Sequence, residues 1–214
     1  MTYSIKEMFH TLQGEGVNAG RAAVFCRFAG CNLWSGLEKD RRNAECTFCD
    51  TDFVGLNGPG GGRFETPTGL AQAIRSHWPD GIEKPFVVCT GGEPLLQMDG
   101  ALIDALHVEG FEIAVETNGT QPAPEGKTGG LDWICVSPKA GCNMDLKAGD
   151  EIKVVFPQAG LDLKALESLT FRNFLIQPMD GVDARKNTKQ AIEYCRNHPL
   201  WRLSLQTHKI LGIP

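Results

Sequence analysis

Four of the eight cysteines, Cys26, Cys31, Cys46 and Cys49, fall between positions 26 and 49, while Cys89, Cys135, Cys142 and Cys195 are scattered. Cys46 and Cys49 form a Cys-x2-Cys pair, a spacing that lets two thiolates reach one metal from a tight turn. Cys31 lies fifteen positions before Cys46. Two metals compete for this set. A closed zinc site needs four ligands and would recruit Cys26. Three thiolates holding an iron–sulfur cluster would instead leave one iron without a protein ligand, unlike an electron-transfer centre held by four cysteines. Strand alternation puts Cys26 on one face with Val24 and Phe28, and Phe25 with Arg27 on the other, which marks Cys26 as a core residue. Cys31 follows Ala29-Gly30, where loop geometry frees it to bind. Cys142 stays open as a distant fourth ligand.

A second set of ligand-type groups recurs along the chain: Thr90-Gly91-Gly92-Glu93-Pro94, Glu116-Thr117-Asn118-Gly119, Ser137-Pro138-Lys139, Gln177-Pro178-Met179-Asp180 and Gln206-Thr207-His208. Each follows a short apolar, β-branched run. The runs are Ala22–Phe28, Phe86–Cys89, Glu112–Val115, Trp133–Val136, Ile152–Phe156, Phe174–Ile176 and Leu203–Leu205. Several lack strict alternation, as strands covered on both faces do. Singly, each cluster reads as a turn; five in succession predict a shared pocket at the C-terminal ends of parallel strands.

Helical patterns lie between some of the runs. Thr66-Pro67 caps one with Leu70, Ala71, Ile74 and Trp78 inward. Pro94 opens a second, with Leu95, Leu102, Ile103 and Leu106 inward and Gly110 as its stop. Asn187 caps a third carrying Ala191, Ile192 and Cys195 inward, and a weaker pattern covers 161–169. Residues 117–132 and 140–151 show no helical periodicity, which predicts an α/β parallel barrel short of helices and well below the ~250 residues of an eightfold barrel. The Asn57–Arg63 stretch reads as a flexible loop; it lacks the ending of a phosphate loop and is given no nucleotide role.

Composition narrows the class. The 214 residues, 42% apolar and 22% charged, suit a single globular domain. A net charge of -5 gives no basic footprint for nucleic acid. No apolar run approaches the ~20 residues of a membrane helix, and the N-terminus lacks a signal-peptide pattern. A cytoplasmic protein with reduced cysteines is expected.

Taken together with Thr11-Leu12-Gln13-Gly14-Glu15-Gly16 and Gln206-Thr207-His208-Lys209, the three cysteines, the Gly-Gly-Glu-Pro segment and the other strand-end motifs resemble the radical S-adenosylmethionine (SAM) superfamily, and within it the branch that builds deazapurines. The resemblance implies an incomplete (β/α)6-type partial barrel forming one domain over 1–214, with a cluster loop at 29–52. It implies a [4Fe-4S] cluster on Cys31, Cys46 and Cys49 with one open iron, SAM, and Mg2+ at Thr51. The implied activity is that of a lyase converting 6-carboxy-5,6,7,8-tetrahydropterin to 7-carboxy-7-deazaguanine with loss of ammonia, on the route to queuosine. A flavodoxin- or ferredoxin-like electron donor and a homodimer come with it. The first cysteine gap departs from the superfamily's usual three residues: here it is the fourteen of Asn32–Glu45. Loop closure for that extension costs only about 1.4 kcal/mol, against metal-binding free energies of about 10 kcal/mol. Glu38, Lys39, Asp40, Arg41 and Arg42 therefore read as a charged surface excursion.

The same resemblance distributes roles. Phe48, Cys49, Asp50, Gly91, Gly92, Ser137, Pro138, Lys139, Gln177, Pro178, Met179 and Asp180 would contact SAM, with Lys139 on its carboxylate and Gly91-Gly92 letting backbone carbonyls approach its ammonium. Leu12, Gln13, Gly14, Glu15, Arg27, Thr90, Glu116, His208 and Pro214 would line the pterin site. Arg27 suits a carboxylate bidentately, and Glu116, alternating with Ala114, can point inward to accept from ring N–H groups; no acid–base residue is assigned beyond Glu116 as a candidate. Read alone, Glu116 is a structural ion pair, Phe48 is packing, Thr51 a cap and His208 an ordinary histidine. A zinc-ribbon module and an activating enzyme that places a radical on a partner protein are the rival readings.

Overall fold

The β-branched runs pair into one sheet in the computed structural model, which describes residues 2–214. Its strands are β1 (Tyr3–Leu12), β2 (Ala22–Phe28), β3 (Gly62–Phe64), β4 (Phe86–Gly91), β5 (Glu112–Thr117), β6 (Trp133–Val136), β7 (Ala148–Phe156), β8 (Thr170–Pro178) and β9 (Trp201–Leu203). Their order is β3-β1-β2-β4-β5-β6-β7-β8-β9. From β2 to β9 every neighbour runs parallel, whereas β1 pairs antiparallel with both β2 and β3. The result is an open, mostly parallel partial barrel. Sequence reading misses β1 because a register irregularity between Ile5 and Glu7 breaks its alternation, burying Lys6 beside Ile5. It misses β3 because the strand is three residues long. The last predicted run overlaps β9 only at Leu203, and Leu205 lies beyond the strand.

Four helices cover the outer face, α1 (Pro67–Arg75), α2 (Gly100–Val108), α3 (Leu163–Leu166) and α4 (Ala184–Asn197), while α5 (Thr207–Leu211) lies at the strand-end mouth. Thr66 caps α1 as predicted, its Oγ1 accepting from Gly69 N at 3.1 Å. Pro94 opens no more than a 3-10 turn over Pro94–Leu96; α2 starts later, capped by Asp99. Asn187 is not a cap either. It lies buried inside α4, where its Nδ2 donates to Met179 O at 2.9 Å, and Ile192 points outward. The weak 161–169 pattern shrinks to the single turn of α3. No helix separates β5 from β6 or β6 from β7, as expected.

Two apolar cores lie between helices and sheet. The larger gathers Val24, Cys26 and Phe28 with Leu70, Ile74, Leu102, Ile103 and Leu106; the smaller gathers Ile152, Val154, Phe174, Ile176 and Trp201 around α3 and α4. Each fully buried aliphatic side chain contributes roughly 1.5–3 kcal/mol. Alternation then turns the intervening residues to the opposite, inner face. On β5 that sends Ala114 and Glu116 inward, and on β7 it sends Glu151, Lys153 and Val155 inward. The Asn57–Arg63 segment is no free loop: Gly58 N donates to Lys6 O at 3.0 Å, Met8 N donates to Pro59 O at 2.6 Å, and its end forms β3. None of the described helices is long and apolar enough to cross a membrane.

Candidate active site

Cys31, Cys46 and Cys49 line one cavity of about 330 Å³ above the strand ends. Cys26 is fully buried in the core, and Cys142 faces a neighbouring cavity with Met144 and Leu166, so neither joins the three. Burial raises the Cys31 and Cys46 thiols above their ordinary range. A cationic centre is what would hold them as thiolates. Three sulfurs in one cavity fall short of a closed zinc site and fit a four-iron cluster with one iron free of protein sulfur.

The insert before Cys46 is more than a surface excursion. A 3-10 turn over Glu38–Asn43 swings Arg41 back, where Nη1 donates to Thr47 O and Cys49 O, both at 3.0 Å. The guanidinium sits 3.9 Å over the Trp34 ring, and Trp34 meets Phe53 edge-on. Arg41 thus ties the excursion to the backbone that carries Cys49.

Gly91 and Gly92 have a reason beyond room for a ligand. Gly91 has φ +126°, and a Cβ there would collide with the Phe28 backbone. At Gly92 a Cβ would meet Gly30 O. The close approach is sealed by Gly92 N donating to Phe28 O at 3.1 Å and Glu93 N donating to Gly30 O at 2.9 Å. Glu93, fully buried, accepts from Thr117 Oγ1 at 2.8 Å and Asn118 N at 2.7 Å, stapling the end of β4 to the end of β5. Glu93 was not among the predicted site residues.

Phe48, Asp50, Ser137, Lys139, Gln177, Pro178, Met179 and Asp180 line the same cavity as the three cysteines; Pro138 does not, and turns toward the cavity of Cys142. Lys139 Nζ donates to Ser137 O at 2.6 Å and Ser137 Oγ at 2.8 Å, 5.8 Å above the Phe48 ring. Burial lowers its pKa, and Cys46 and Cys49 oppose that shift.

An adjoining cavity of about 280 Å³ takes in Leu12, Gln13, Gly14, Arg27, His208 and Pro214, and it shares Glu15, Asp50, Thr51, Thr90, Glu116 and Gln206 with the first. Register sets Arg27 beside Thr90. Glu7, unpredicted, accepts from Arg27 Nε at 2.8 Å and leaves the terminal guanidinium nitrogens clear of that contact. Gly14 lets the His208 ring come close, and Gly14 O accepts from Thr207 N at 2.9 Å. Pro214 O accepts from Thr11 Oγ1 at 3.1 Å. Thr51 caps no helix; the next element after it is β3.

Glu116 is both inward-pointing and ion-paired. Lys153 Nζ donates to Glu15 Oε2 at 2.7 Å and Glu116 Oε2 at 2.9 Å, and Gln13 Nε2 donates to Glu116 Oε1 at 3.2 Å. Burial would raise the Glu15 pKa, but Lys153 and neighbouring hydrogen bonds bring it down to about 2. Lys153 was overlooked, although a charged pair at alternate positions of an apolar run, Glu151-Ile152-Lys153-Val154, is a readable sign of an inward polar face. At the mouth, Lys209 Nζ reaches Asp50 Oδ2 at 2.6 Å and Asp180 Oδ2 at 2.7 Å, joining α5, the cluster loop and the end of β8.

This arrangement is matched elsewhere. Residues 42–214 match the family model of the radical SAM superfamily. The 7-carboxy-7-deazaguanine synthase of Bradyrhizobium diazoefficiens is 59% identical over 213 residues, with 100% of each chain covered. That of Bordetella pertussis is 58% identical over 214 residues, again covering 100% of each. This chain belongs to the radical SAM superfamily, in its 7-carboxy-7-deazaguanine synthase family. The crystal structure of QueE from Escherichia coli superposes with a TM-score of 0.68 at 28% identity, covering 96% of this chain and 94% of that one. Membership brings a [4Fe-4S] cluster and SAM as the family's cofactors, and the three-sulfur cavity beside the Gly91-Gly92 segment suits both.

Proposed function

We propose that this chain is a carbon–nitrogen lyase that converts 6-carboxy-5,6,7,8-tetrahydropterin into 7-carboxy-7-deazaguanine and ammonia, in queuosine biosynthesis, as one radical SAM domain over 1–214. The observation that carries the reading is the continuity of two cavities: three thiols line one, a carboxylate-ready arginine with hydrogen-bonding groups lines the other, and Glu116 borders both. When bound, the cluster on Cys31, Cys46 and Cys49 and its SAM supply a deoxyadenosyl radical that takes hydrogen from the substrate. The chain's residues do the rest by position and exclusion of water. Lys139 neutralises the SAM carboxylate. Phe48, Asp50, Ser137, Gln177, Met179 and Asp180 hold the remainder of SAM, with Pro178 shaping that wall. Arg27 grips the substrate carboxylate, and Gln13, Glu116, His208 and Pro214 read the donor and acceptor edge of the ring, with Leu12, Gly14 and Thr90 setting its plane. Thr51, with the substrate carboxylate, offers oxygen to Mg2+, which needs few protein ligands. A cytoplasmic homodimer reduced by a flavodoxin- or ferredoxin-like protein completes the reading.

The test is anaerobic reconstitution with iron and sulfide, then incubation with the carboxytetrahydropterin, SAM, Mg2+ and dithionite. Deazaguanine and ammonia in equal amounts are expected. Deoxyadenosine without deazaguanine would overturn the reading in favour of an activating enzyme, and colourless protein would overturn it in favour of zinc.

A further inference from the structure

Behind Glu116 runs a line of side chains to which the chemistry above gives no task. Register pairs Glu116 with Cys135 and Cys135 with Glu151, across β5, β6 and β7. One carboxylate oxygen of each glutamate and Cys135 Sγ lie within 4.8 Å of one another. Glu116 heads the line in the cavity; Cys135 and Glu151 are sealed behind it at 1% and 2% exposure. The far end is closed by the β1–β2 connection, where Val17 N donates to Glu151 Oε2 at 2.8 Å and Gly16 packs on Oε1.

The charges around this line do not balance if every group is ionised. Glu15, Glu116 and Glu151 face a single cation, Lys153, whose ammonium is engaged by Glu15 and Glu116. Asp150 looks the other way, accepting from Ile134 N and Arg172, and Asn173, the register partner of Glu151 on β8, is neutral. An uncompensated buried carboxylate is costly and takes a proton instead. Glu15, at about 2, is ionised. Burial and the neighbouring Glu116 charge raise Glu151.

We propose that Glu151 is the resting proton store of the site, and that it protonates Glu116 through the Cys135 thiol so that Glu116 can protonate the departing nitrogen. This rests on the ammonia-releasing reaction proposed above. Cys135 passes its own proton to Glu116 and takes the one from Glu151. Glu116 then gives the proton to the amine nitrogen, the carbon–nitrogen bond breaks, and its electron pair leaves with ammonia. The proton on the neighbouring ring carbon departs to Glu116, its C–H pair becoming the new double bond, and returns along the same line to Glu151. No proton or electron is gained or lost overall.

Glu151→Gln is the first test, because the amide keeps the size, the neutrality and the acceptor for Val17 N. Deuterium transfer from C6-labelled substrate into SAM and the substrate KM should stay as in the parent. Ammonia release should slow by on the order of 10²-fold, the lower end of what general acid–base assistance contributes, with a ring-contracted isomer of the substrate accumulating. Cys135→Ala should show the same defect, and Cys135→Ser, which restores a relaying O–H, should recover most of the rate. Infrared difference spectra of the cluster-free protein at neutral pH should show a protonated-carboxyl band that Glu151→Gln removes. Unchanged ammonia release in both Glu151→Gln and Cys135→Ala, or no such band, overturns the proposal. Absent deuterium transfer in the parent enzyme would instead strike the underlying reaction, and the infrared arm would still decide whether Glu151 carries the proton.

Discussion

The two ends of the joined cavity are built by opposite strategies. At the sulfur end the three cysteines of the proposed cluster ride on loops: Cys31 follows Gly30, whose O accepts from Glu93 N, and Cys49 is held by the Arg41 tether. At the other end, the proposed pterin site, Glu7, Arg27, Thr90, Glu116 and Lys153 stand on strands β1, β2, β4, β5 and β7. They are joined by Glu15 of the β1–β2 connection and His208 of α5, with Arg27 already paired to Glu7 and Lys153 to Glu15 and Glu116. A metal centre tolerates loop supports because its own bonds impose geometry, each being strong. A planar heterocycle read by hydrogen bonds offers no such correction, so its partners must be oriented beforehand.

The largest effects should separate these strategies most clearly. Cys31→Ser, Cys46→Ser or Cys49→Ser should abolish the visible absorption of reconstituted protein and all turnover, while Cys26→Ser and Cys142→Ser retain colour. Loss of the cluster in Cys26→Ser would break the three-ligand assignment. Next, Arg27→Ala should raise the substrate KM by about 10²-fold, a loss of about 3 kcal/mol for a charge-assisted bidentate contact, with the cluster spectrum intact. Glu7→Gln should raise it less, because the guanidinium stays but swivels.

Acid should expose the pre-paired end. The Glu15 pKa is lowered in the folded protein to about 2 from an ordinary 4.5. The stability it contributes is therefore full above about pH 4.5 and drains away as pH falls toward 2, a span worth on the order of 3 kcal/mol. Glu15→Gln should flatten that part of the unfolding profile, and an unaltered slope would show that Lys153 does not hold the carboxylate.

Smaller effects sharpen the loop side. Arg41→Ala removes two carbonyl contacts and a ring contact, and should cost about 1–2 kcal/mol, read as faster loss of iron to a chelator. Lys209→Ala breaks two half-exposed ion pairs, worth about 1 kcal/mol or less together. It should leave the thermal midpoint within a few degrees while raising the KM for SAM modestly.

Much of this organisation was legible beforehand. The core place of Cys26 and the strand-end clusters followed from residue type and alternation, since period-two patterns survive wherever strands are regular, whereas the trio Cys31, Cys46 and Cys49 came from the family resemblance because spacing alone left Cys142 open. β1 escaped because its irregularity scrambles that period, and α4 was misread at Asn187 because a buried amide serving Met179 O looks like a cap in one dimension. Pro138 was placed with SAM by its neighbours in sequence, although a strand-end turn points successive residues into different cavities. Glu7 and Arg41 were invisible for a shared reason: each acts by gripping another residue distant in sequence or across a turn, and no local pattern announces a grip. Lys153 was readable as an inward charge from its alternation with Ile152 and Val154, but its partners Glu15 and Glu116 were not.

The backbone weld of Gly92 and Glu93 to Phe28 and Gly30 has a consequence for how this site can change over time. It anchors the root of the metal-binding loop to the barrel itself, so the stretch that follows hangs from a fixed post. Chains with a longer or shorter stretch there could keep the first sulfur in place, provided that the new stretch still grips the Cys49 backbone as Arg41 does here.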